Sequence, residues 1–275
     1  MDVKKVWAVY FSATGTTQKI VTEIANVIAE KIGAVRENLD FTLPAARAGV
    51  LCFAANDLVI FGTPVYAGRV PNVLLKFLVT VEGNGAVAVP VVLYGNRNYD
   101  DALIELRDIL EKDGFHTITA GAFIGEHSFS KILAKSRPDA TDVALAKEFA
   151  LRTAEKLESI DDASVLPPIH VAGIPNPYRG YYQPQDSKGN PIDIRKVKSL
   201  INADCNDCKI CADVCPMGSI NRKNISEFTG ICIKCGACTK KCPLHARYYK
   251  DTEYLYHQHE LEEGLTRRAE PELFL

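Results

Sequence analysis

Eight of the nine cysteines of this chain lie between positions 205 and 242, in two copies of one spacing. The copies read Cys205-x2-Cys208-x2-Cys211-x3-Cys215-Pro216 and Cys232-x2-Cys235-x2-Cys238-x3-Cys242-Pro243. A secreted protein held by disulfides would spread its cysteines through the fold. The clustering therefore predicts reduced thiols that serve as metal ligands.

Two kinds of metal site compete for this pattern. Structural zinc is usually held by two CxxC pairs around one tetrahedral ion, which does not call for three closely spaced cysteines and a Cys-Pro, twice. Three thiolates at this spacing can instead surround one corner of an iron–sulfur cluster, and Gly236 and Ala237 let the second copy curl tightly. The spacing therefore favours iron–sulfur over zinc. The ninth cysteine, Cys52, lies among apolar residues and is expected to be buried.

Over about 50 residues the two motifs closely resemble bacterial two-cluster ferredoxins. In that family the fourth cysteine of each motif ligates the cluster of the other motif. The resemblance implies two [4Fe-4S] clusters with exchanged fourth ligands. One set would be Cys205, Cys208, Cys211 and Cys242, and the other Cys232, Cys235, Cys238 and Cys215.

The first 160 residues alternate strand and helix signals. Strands are predicted near 6–11, 34–40, 58–62, 89–94 and 117–124, and helices near 16–32, 72–81, 100–112 and 139–157. In the first helix the apolar residues recur on one face at helical spacing. The alternation predicts a doubly wound parallel α/β sheet. Because proline has no N–H to give to a central strand, the fourth strand is predicted to begin at Pro90.

Between the first strand and the first helix the chain reads Ser-Ala-Thr-Gly-Thr-Thr, residues 12–17. Hydroxyl and N–H groups gathered at a helix N-terminus favour an anion, and Gly15 lets the backbone approach it closely. The segment lacks the Gly-Lys of a Walker loop and the Gly-x-Gly-x-x-Gly of a dinucleotide turn. The alternative is an ordinary cluster of Ser and Thr around a helix N-cap.

This segment resembles the Thr/Ser-x-Thr-Gly-x-Thr loop of flavodoxins, which holds the phosphate of FMN. The resemblance implies FMN as a cofactor and a flavodoxin-like five-stranded parallel sheet in the order 2-1-3-4-5. The phosphate contacts would come from Ser12, Thr14, Gly15, Thr16 and Thr17.

Two further loops follow the third and fourth strands, where such a fold would hold the flavin ring. Their candidate contacts are Pro64, Val65, Tyr66, Ala67 and Gly68, and Gly95, Asn96, Arg97 and Tyr99. Either tyrosine could stack on the ring or be half-buried packing. Arg69 or Arg97 could stabilise negative charge there, and His127 could be an acid or a solvated loop residue.

Composition divides the chain into four segments. They are a flavodoxin-like domain over 1–160, a Pro- and Tyr-rich linker over 161–196, a cysteine module over 197–250 and an acidic tail over 251–275. The module carries a formal charge of +5 and the tail −5, so we expect the tail to fold onto the module. The overall charge of −2 does not suggest nucleic acid as a partner.

The sequence also bears on location. No apolar run approaches the ~18 residues that a membrane-spanning helix needs. The apolar stretch 6–11 is too short for the core of an export signal and runs straight into the Ser/Thr-rich loop. With reduced thiols as ligands, the cytoplasm is the expected compartment.

Taken whole, the chain resembles the flavodoxin–ferredoxin fusion proteins labelled EFR-type ferredoxins, over about 1–160 and 197–250. The resemblance implies an electron-transfer protein that passes electrons between two [4Fe-4S] clusters and FMN, and on to a redox protein partner. The alternative is an FMN-dependent reductase of a quinone or free flavin, fed by its own ferredoxin domain. A third possibility is a redox sensor. No residue is assigned a catalytic role.

Overall fold

The computed structural model describes residues 1–275, and its N-terminal part is a doubly wound parallel sheet. Its elements are β1 (Lys5–Tyr10), α1 (Thr16–Ile32), β2 (Val35–Asp40), β3 (Asp57–Pro64), α2 (Asn72–Leu78), β4 (Val87–Tyr94), α3 (Ala102–Lys112), β5 (His116–Thr117), β6 (Ala120–Ile124) and α4 (Ala140–Glu158). The strand order is β2-β1-β3-β4 followed by β5 and β6. Because β5 and β6 together are the fifth strand, the predicted order 2-1-3-4-5 is confirmed.

The prediction that the fourth strand begins at Pro90 is wrong, because β4 begins three residues earlier at Val87. The neighbouring strand explains how the sheet accepts a proline. Ala88 pairs with Thr117 and Val91 with Gly121, so two residues of β4 face three of its neighbour. This extra residue, as in a β-bulge, breaks the fifth strand beside Pro90. The ladder is interrupted where the proline has no N–H to donate.

Two apolar cores cover the two faces of the sheet. α1 and α4 pack on one face, where Ile20, Ile24 and Phe149 are fully buried. α2 and α3 pack on the other, with Leu74 and Leu103. β3 and β4 are buried on both faces, which accounts for their nearly continuous apolar sequences. The loops at the carboxyl ends of the strands are therefore held by a rigid sheet.

The remainder of the chain has short elements. They are β7 (Leu200–Ile201), α5 (Ile210–Asp213), α6 (Ala237–Lys240), β8 (Arg247–Tyr248), α7 (Thr252–Gly264) and β9 (Glu272–Phe274), with 3₁₀ turns at Pro44–Arg47, Ala163–Val165 and Ile194–Lys196. β7 and β8 pair antiparallel and close the cysteine module. No helix has the length and apolar character needed to cross a lipid bilayer.

The linker lies against the N-terminal domain. The carboxylate of Asp101, itself fully buried, accepts hydrogen bonds from the backbone N–H groups of Ile174 and Arg179, at 2.9 and 2.7 Å. The backbone N–H of Tyr182 donates to the carbonyl of Ala67 at 2.9 Å. The linker is thus fixed on the side of the sheet where β3 ends.

The acidic tail folds back onto the cysteine module and the sheet, but it is not held there by ion pairs with the module. Its helix α7 stacks Tyr254 on Tyr249 of the cysteine module, with ring centroids 4.4 Å apart. Its end, β9, pairs antiparallel with β6 and adds a strand to the sheet. No ion pair joins a tail carboxylate to a lysine or arginine of residues 197–250. The expected electrostatic cover of the module is therefore replaced by aromatic packing and strand pairing.

Candidate cofactor sites

The loop of residues 12–17, called the phosphate loop, presents a run of free backbone donors. The N–H groups of residues 13–17 donate to no group of the protein. Ser12 is committed: its N–H donates to the Thr42 hydroxyl at 2.7 Å, and its own hydroxyl accepts from the N–H of Gln18 at 3.0 Å. Ser12 therefore satisfies one N–H of the first turn of α1, whereas the N–H groups of residues 13–17 remain available for an anion.

The shape of the phosphate loop also fits a phosphate group. Gly15 has φ of 94°, and a Cβ built there would meet no atom within 4 Å. Beneath the loop, a Cβ on Gly62 of β3 would lie 3.0 Å from the Thr17 side chain. The strand thus supports the loop from below while its outer side stays open. Thr14 and Thr16, both partly exposed, leave their hydroxyls without a protein partner.

The first ring loop, residues 64–68, is a tight turn. The backbone groups of Tyr66 and Arg69 bond each other in both directions, at 3.0 and 3.2 Å. Ala67 and Gly68 have positive φ, and a Cβ on Gly68 would lie 2.1 Å from a carboxylate oxygen of Asp100. The small residue lets the two ring loops touch. Pro64 and Val65 continue β3, since the N–H of Val65 bonds the carbonyl of Leu93 at 2.8 Å.

Tyr66 lies within electrostatic reach of the second cysteine motif. Burial raises the pKa of its hydroxyl well above the ordinary value, and the neighbouring thiols of Cys235 and Cys232 raise that pKa further. Cys235 also packs against the apolar core shared by α2 and α3. The first ring loop therefore lies beside the second cysteine motif.

The second ring loop, residues 95–99, is held from the C-terminal tail. The side-chain amide of Asn96, which is buried, donates to the carbonyls of Leu265 and Arg267 at 2.9 and 2.8 Å. The Tyr99 hydroxyl donates to the Glu272 carboxylate. Tyr99 is only 4% exposed, so its ring faces the core and leaves little surface for stacking on a flavin. Its flavin contact stays a prediction.

The two arginines near these loops have different surroundings. Arg69 forms an ion pair with Glu105 at 2.6 Å and lies over the rings of Tyr178 and Tyr181. Arg69 thus holds the linker against the N-terminal domain. Arg97 pairs with Asp100 and lies 4.5 Å from the ring of Tyr182 in the linker. Tyr182 thus lies at the second ring loop. The sequence predicted a linker rich in tyrosine but not this contact, because the linker has no periodicity that would locate it.

His127 belongs to the loop after β6, residues 125–130, called the β6 loop. Its Nδ1 accepts a hydrogen bond from the N–H of Phe129 at 3.1 Å, which places the ring proton on Nε2 in the neutral form. Burial, and then the charges of Lys240, His257 and Arg97, lower its pKa to about 4. A Cβ on Gly95 would lie 2.4 Å from its ring. A neutral histidine thus lies against the second ring loop.

Two cavities in the module are each lined by four cysteines. The first is lined by Cys205, Cys208, Cys211 and Cys242. The second is lined by Cys215, Cys232, Cys235 and Cys238. The fourth cysteine of each motif thus lies at the cavity of the other motif, in the grouping that the ferredoxin resemblance implies.

The donor sets fit iron–sulfur clusters. No three His, Cys, Asp or Glu side chains come close enough together to hold a single metal ion. The thiols instead surround cavities, as cluster ligands do around a cubane. Backbone N–H groups of Asp207, Ser219 and Ala246 donate to the sulfurs of Cys205, Cys215 and Cys242 at 3.3 to 3.4 Å. Such bonds stabilise thiolate charge.

The ninth cysteine differs from its prediction. Cys52 is exposed, and its thiol is 3.1 Å from the carboxylate of Glu82. Its neighbours Leu51 and Phe53 pack on the core, while Cys52 itself faces outward. It lines neither cavity.

Two family models match the chain. One, described as a flavodoxin domain, matches residues 8–90, and the other, described as a 4Fe-4S binding domain, matches residues 202–218 and 229–252. No curated protein has significant similarity to the sequence. The family models and the two sites agree, and they assign FMN to the N-terminal domain and iron–sulfur clusters to the cysteine module.

Solved structures similar to the chain include flavodoxins. A flavodoxin from the domain Archaea is 17% identical over 56% of this chain and 99% of its own, with a TM-score of 0.41. A Fusobacterium nucleatum flavodoxin bound to flavin mononucleotide is 18% identical over 57% of this chain and 98% of its own, with 0.38. An apo NADH:FMN oxidoreductase is 16% identical over 59% and 93%, with 0.42.

Proposed function

We propose that this chain, a fusion of a flavodoxin domain with a 4Fe-4S ferredoxin-type domain, is an electron-transfer protein that connects two [4Fe-4S] clusters to FMN and to a redox protein partner. When bound, the clusters supply one-electron steps and FMN supplies one- or two-electron steps. The phosphate loop would hold FMN, and the eight cysteines that line the two cavities would hold the clusters.

The observation that carries the proposal is the contact between the two candidate sites. Val65 of the first ring loop and Cys235 of the second cavity pack against the same apolar core of the N-terminal domain. Ala237, the residue before Cys238, is fully buried within the apolar core of the N-terminal domain. Electron transfer needs close approach of donor and acceptor. The contacts between the cysteine module and the N-terminal domain support such an approach within one molecule.

The first cavity is lined in part by exposed residues, and we expect the external partner to dock there. Cys208 is exposed, and so are Ile210 and Leu244, which line the same cavity at 36% and 43% exposure. Exposed apolar side chains beside a cluster ligand give a partner protein a surface on which to exclude water. Because the thiols have to stay reduced, we assign the protein to the cytoplasm.

An anaerobic reductive titration of the full chain, followed by absorbance and low-temperature EPR together, tests this function. We expect bound FMN and cluster signals in one preparation, with electrons redistributing between them as reductant is added. Clusters without flavin would contradict the proposal, because the phosphate loop would then have another ligand. Rapid reoxidation of the reduced protein by a quinone or free flavin would favour the reductase alternative.

A further inference from the structure

The two cysteine motifs make different contacts although their spacing is the same. Counted from the first cysteine of each motif, Gly236 corresponds to Lys209 and Lys240 corresponds to Asp213. Every residue from 232 to 240 is at least partly buried, whereas residues 206–208, 210 and 213 are exposed. The second motif therefore faces the flavodoxin domain and the first faces solvent.

Lys240 makes the polar contacts of the second motif with the flavodoxin domain. Its Nζ forms an ion pair with Glu126 and donates to the carbonyls of His127 and Ser130 at 2.7 and 3.1 Å. All three acceptors belong to the β6 loop, and the Lys240 side chain is 16% exposed. An ammonium group has three N–H donors, so this one side chain uses its full capacity on that loop.

The corresponding residue of the first motif makes no such contact. Asp213 pairs with Arg222 at 2.7 Å, inside the module and at the surface. The charge at this position is thus reversed between the motifs. The second motif has the positive charge of Lys240 at the carbonyls of the β6 loop. The first motif has the negative charge of Asp213 at the solvent-exposed surface.

Gly236 supplies the space for this contact. Its φ is 74°, but Lys209 has φ of 65° at the corresponding position, so the curl of the motif does not by itself demand glycine. A Cβ on Gly236 would lie 2.5 Å from the carbonyl oxygen of Ser128. Glycine is therefore required because the β6 loop approaches the backbone closely there.

We propose that Lys240 is the positioning residue that fixes the second cysteine motif on the β6 loop and so sets the spacing between Cys235 and the flavodoxin domain. The inference rests on the proposed function, since that spacing matters only if electrons pass between the two domains. Without Lys240 the module remains attached, because Arg47 donates to the carbonyl of Pro216 at 2.6 Å and the tail still pairs with the sheet. The motif would fold but lie less tightly on the loop.

The test compares Lys240→Met, Lys240→Arg and the control Lys241→Met in the full chain with its cofactors. Lys241 is the next residue, is exposed and has no side-chain hydrogen bond or ion pair, so its substitution removes the same charge without touching the β6 loop. Two quantities are measured. One is hydrogen exchange of residues 125–130, and the other is the rate of flavin reduction after a photoreductant delivers one electron to the iron–sulfur module.

We expect Lys240→Met to speed exchange about tenfold, as loss of one hydrogen bond to a charged group predicts. The flavin reduction rate should fall about tenfold as well. Lys240→Arg should restore much of both, and Lys241→Met should change neither. Faster exchange with an unchanged electron-transfer rate would overturn the inference, since the contact would then be only structural. Equal effects of Lys240→Met and Lys241→Met would also overturn it. Absence of intramolecular flavin reduction in the unmodified protein would instead refute the proposed function itself.

Discussion

The hydroxyl of Tyr99 donates a 2.5 Å hydrogen bond to the carboxylate of Glu272, and so ties the second ring loop to the last strand of the chain. Asn96 of the same loop is held by residues 265–269. The tail therefore shapes a loop that lies far from it in sequence. In the proposed function this arrangement makes the flavin site depend on residues beyond the cysteine module.

Replacing Tyr99 with Phe should lower the free energy of unfolding by about 1 kcal/mol, because the buried Tyr99 side chain loses its hydrogen bond to Glu272, while the exposed Glu272 carboxylate regains water. The measurement is denaturant unfolding of the full chain. Tyr94→Phe is the matched control, since the Tyr94 ring packs on Tyr99 with centroids 5.6 Å apart and its hydroxyl has no hydrogen-bond partner. If both variants lost the same stability, the Tyr99–Glu272 bond would not explain it.

A second prediction separates backbone strain from cofactor binding at the phosphate loop. Gly15 and Gly33 flank helix α1, both have positive φ, and a Cβ added to either would meet no atom within 4 Å. Gly15→Ala and Gly33→Ala should each cost about 1 kcal/mol of stability. Only Gly15→Ala should also weaken FMN binding, measured by fluorescence titration of the deflavinated protein. Equal FMN affinities in the two variants would show that the loop does not hold the phosphate.

Exchange of the fourth cysteines gives a third prediction. Cys242→Ser should remove the cluster bound by the first motif, and Cys215→Ser the cluster bound by the second, because each lines the other motif's cavity. Iron content should fall by about half in each case. Cys52→Ser is the control and should leave iron unchanged. The EPR spectrum tells the two remaining clusters apart, and identical spectra from Cys242→Ser and Cys215→Ser would contradict the assignment.

His127 predicts a dependence of stability on pH. Its folded pKa of about 4 lies below the unfolded value of roughly 6.5, so the unfolded chain binds more protons between these pH values. Stability is therefore lost as the pH falls from about 6.5 towards 4, by about 1 kcal/mol at pH ~5.5. His127→Gln should remove that loss in unfolding measurements between pH ~7.5 and ~5.5. His170→Gln, at an exposed position, is the control. An unchanged slope in His127→Gln would refute the prediction.

The fold of the first 160 residues is predictable from the sequence because β1, β3 and β4 are mostly apolar runs and helix α1 has a periodic apolar face. Two features of the fold could not be predicted from the sequence. The break between β5 and β6 depends on the register beside Pro90, which no local pattern reveals. β9 has three residues in an acidic segment, and its pairing with β6 is decided by tertiary contact.

The candidate sites also combine features that the local sequence predicts with features that depend on tertiary contacts. The cysteine spacing favoured iron–sulfur clusters, and its resemblance to two-cluster ferredoxins implied the two groups of four. The phosphate loop was also recognisable, because it is a local strand–loop–helix feature. The contacts around the two ring loops could not be predicted from the sequence. Tyr182 and Lys240 reach them from distant segments, and the burial of Tyr99 depends on Glu272.

Flash reduction of the intact, cofactor-loaded chain is the most direct test of the claim that the two domains form one electron path. Less than one electron per molecule is delivered to the iron–sulfur module, and flavin absorbance is followed at several protein concentrations. The account predicts that flavin is reduced at a rate independent of concentration, because Cys235 and the flavodoxin domain against which it packs belong to the same molecule. A rate that rises in proportion to concentration, or no flavin reduction, would contradict it.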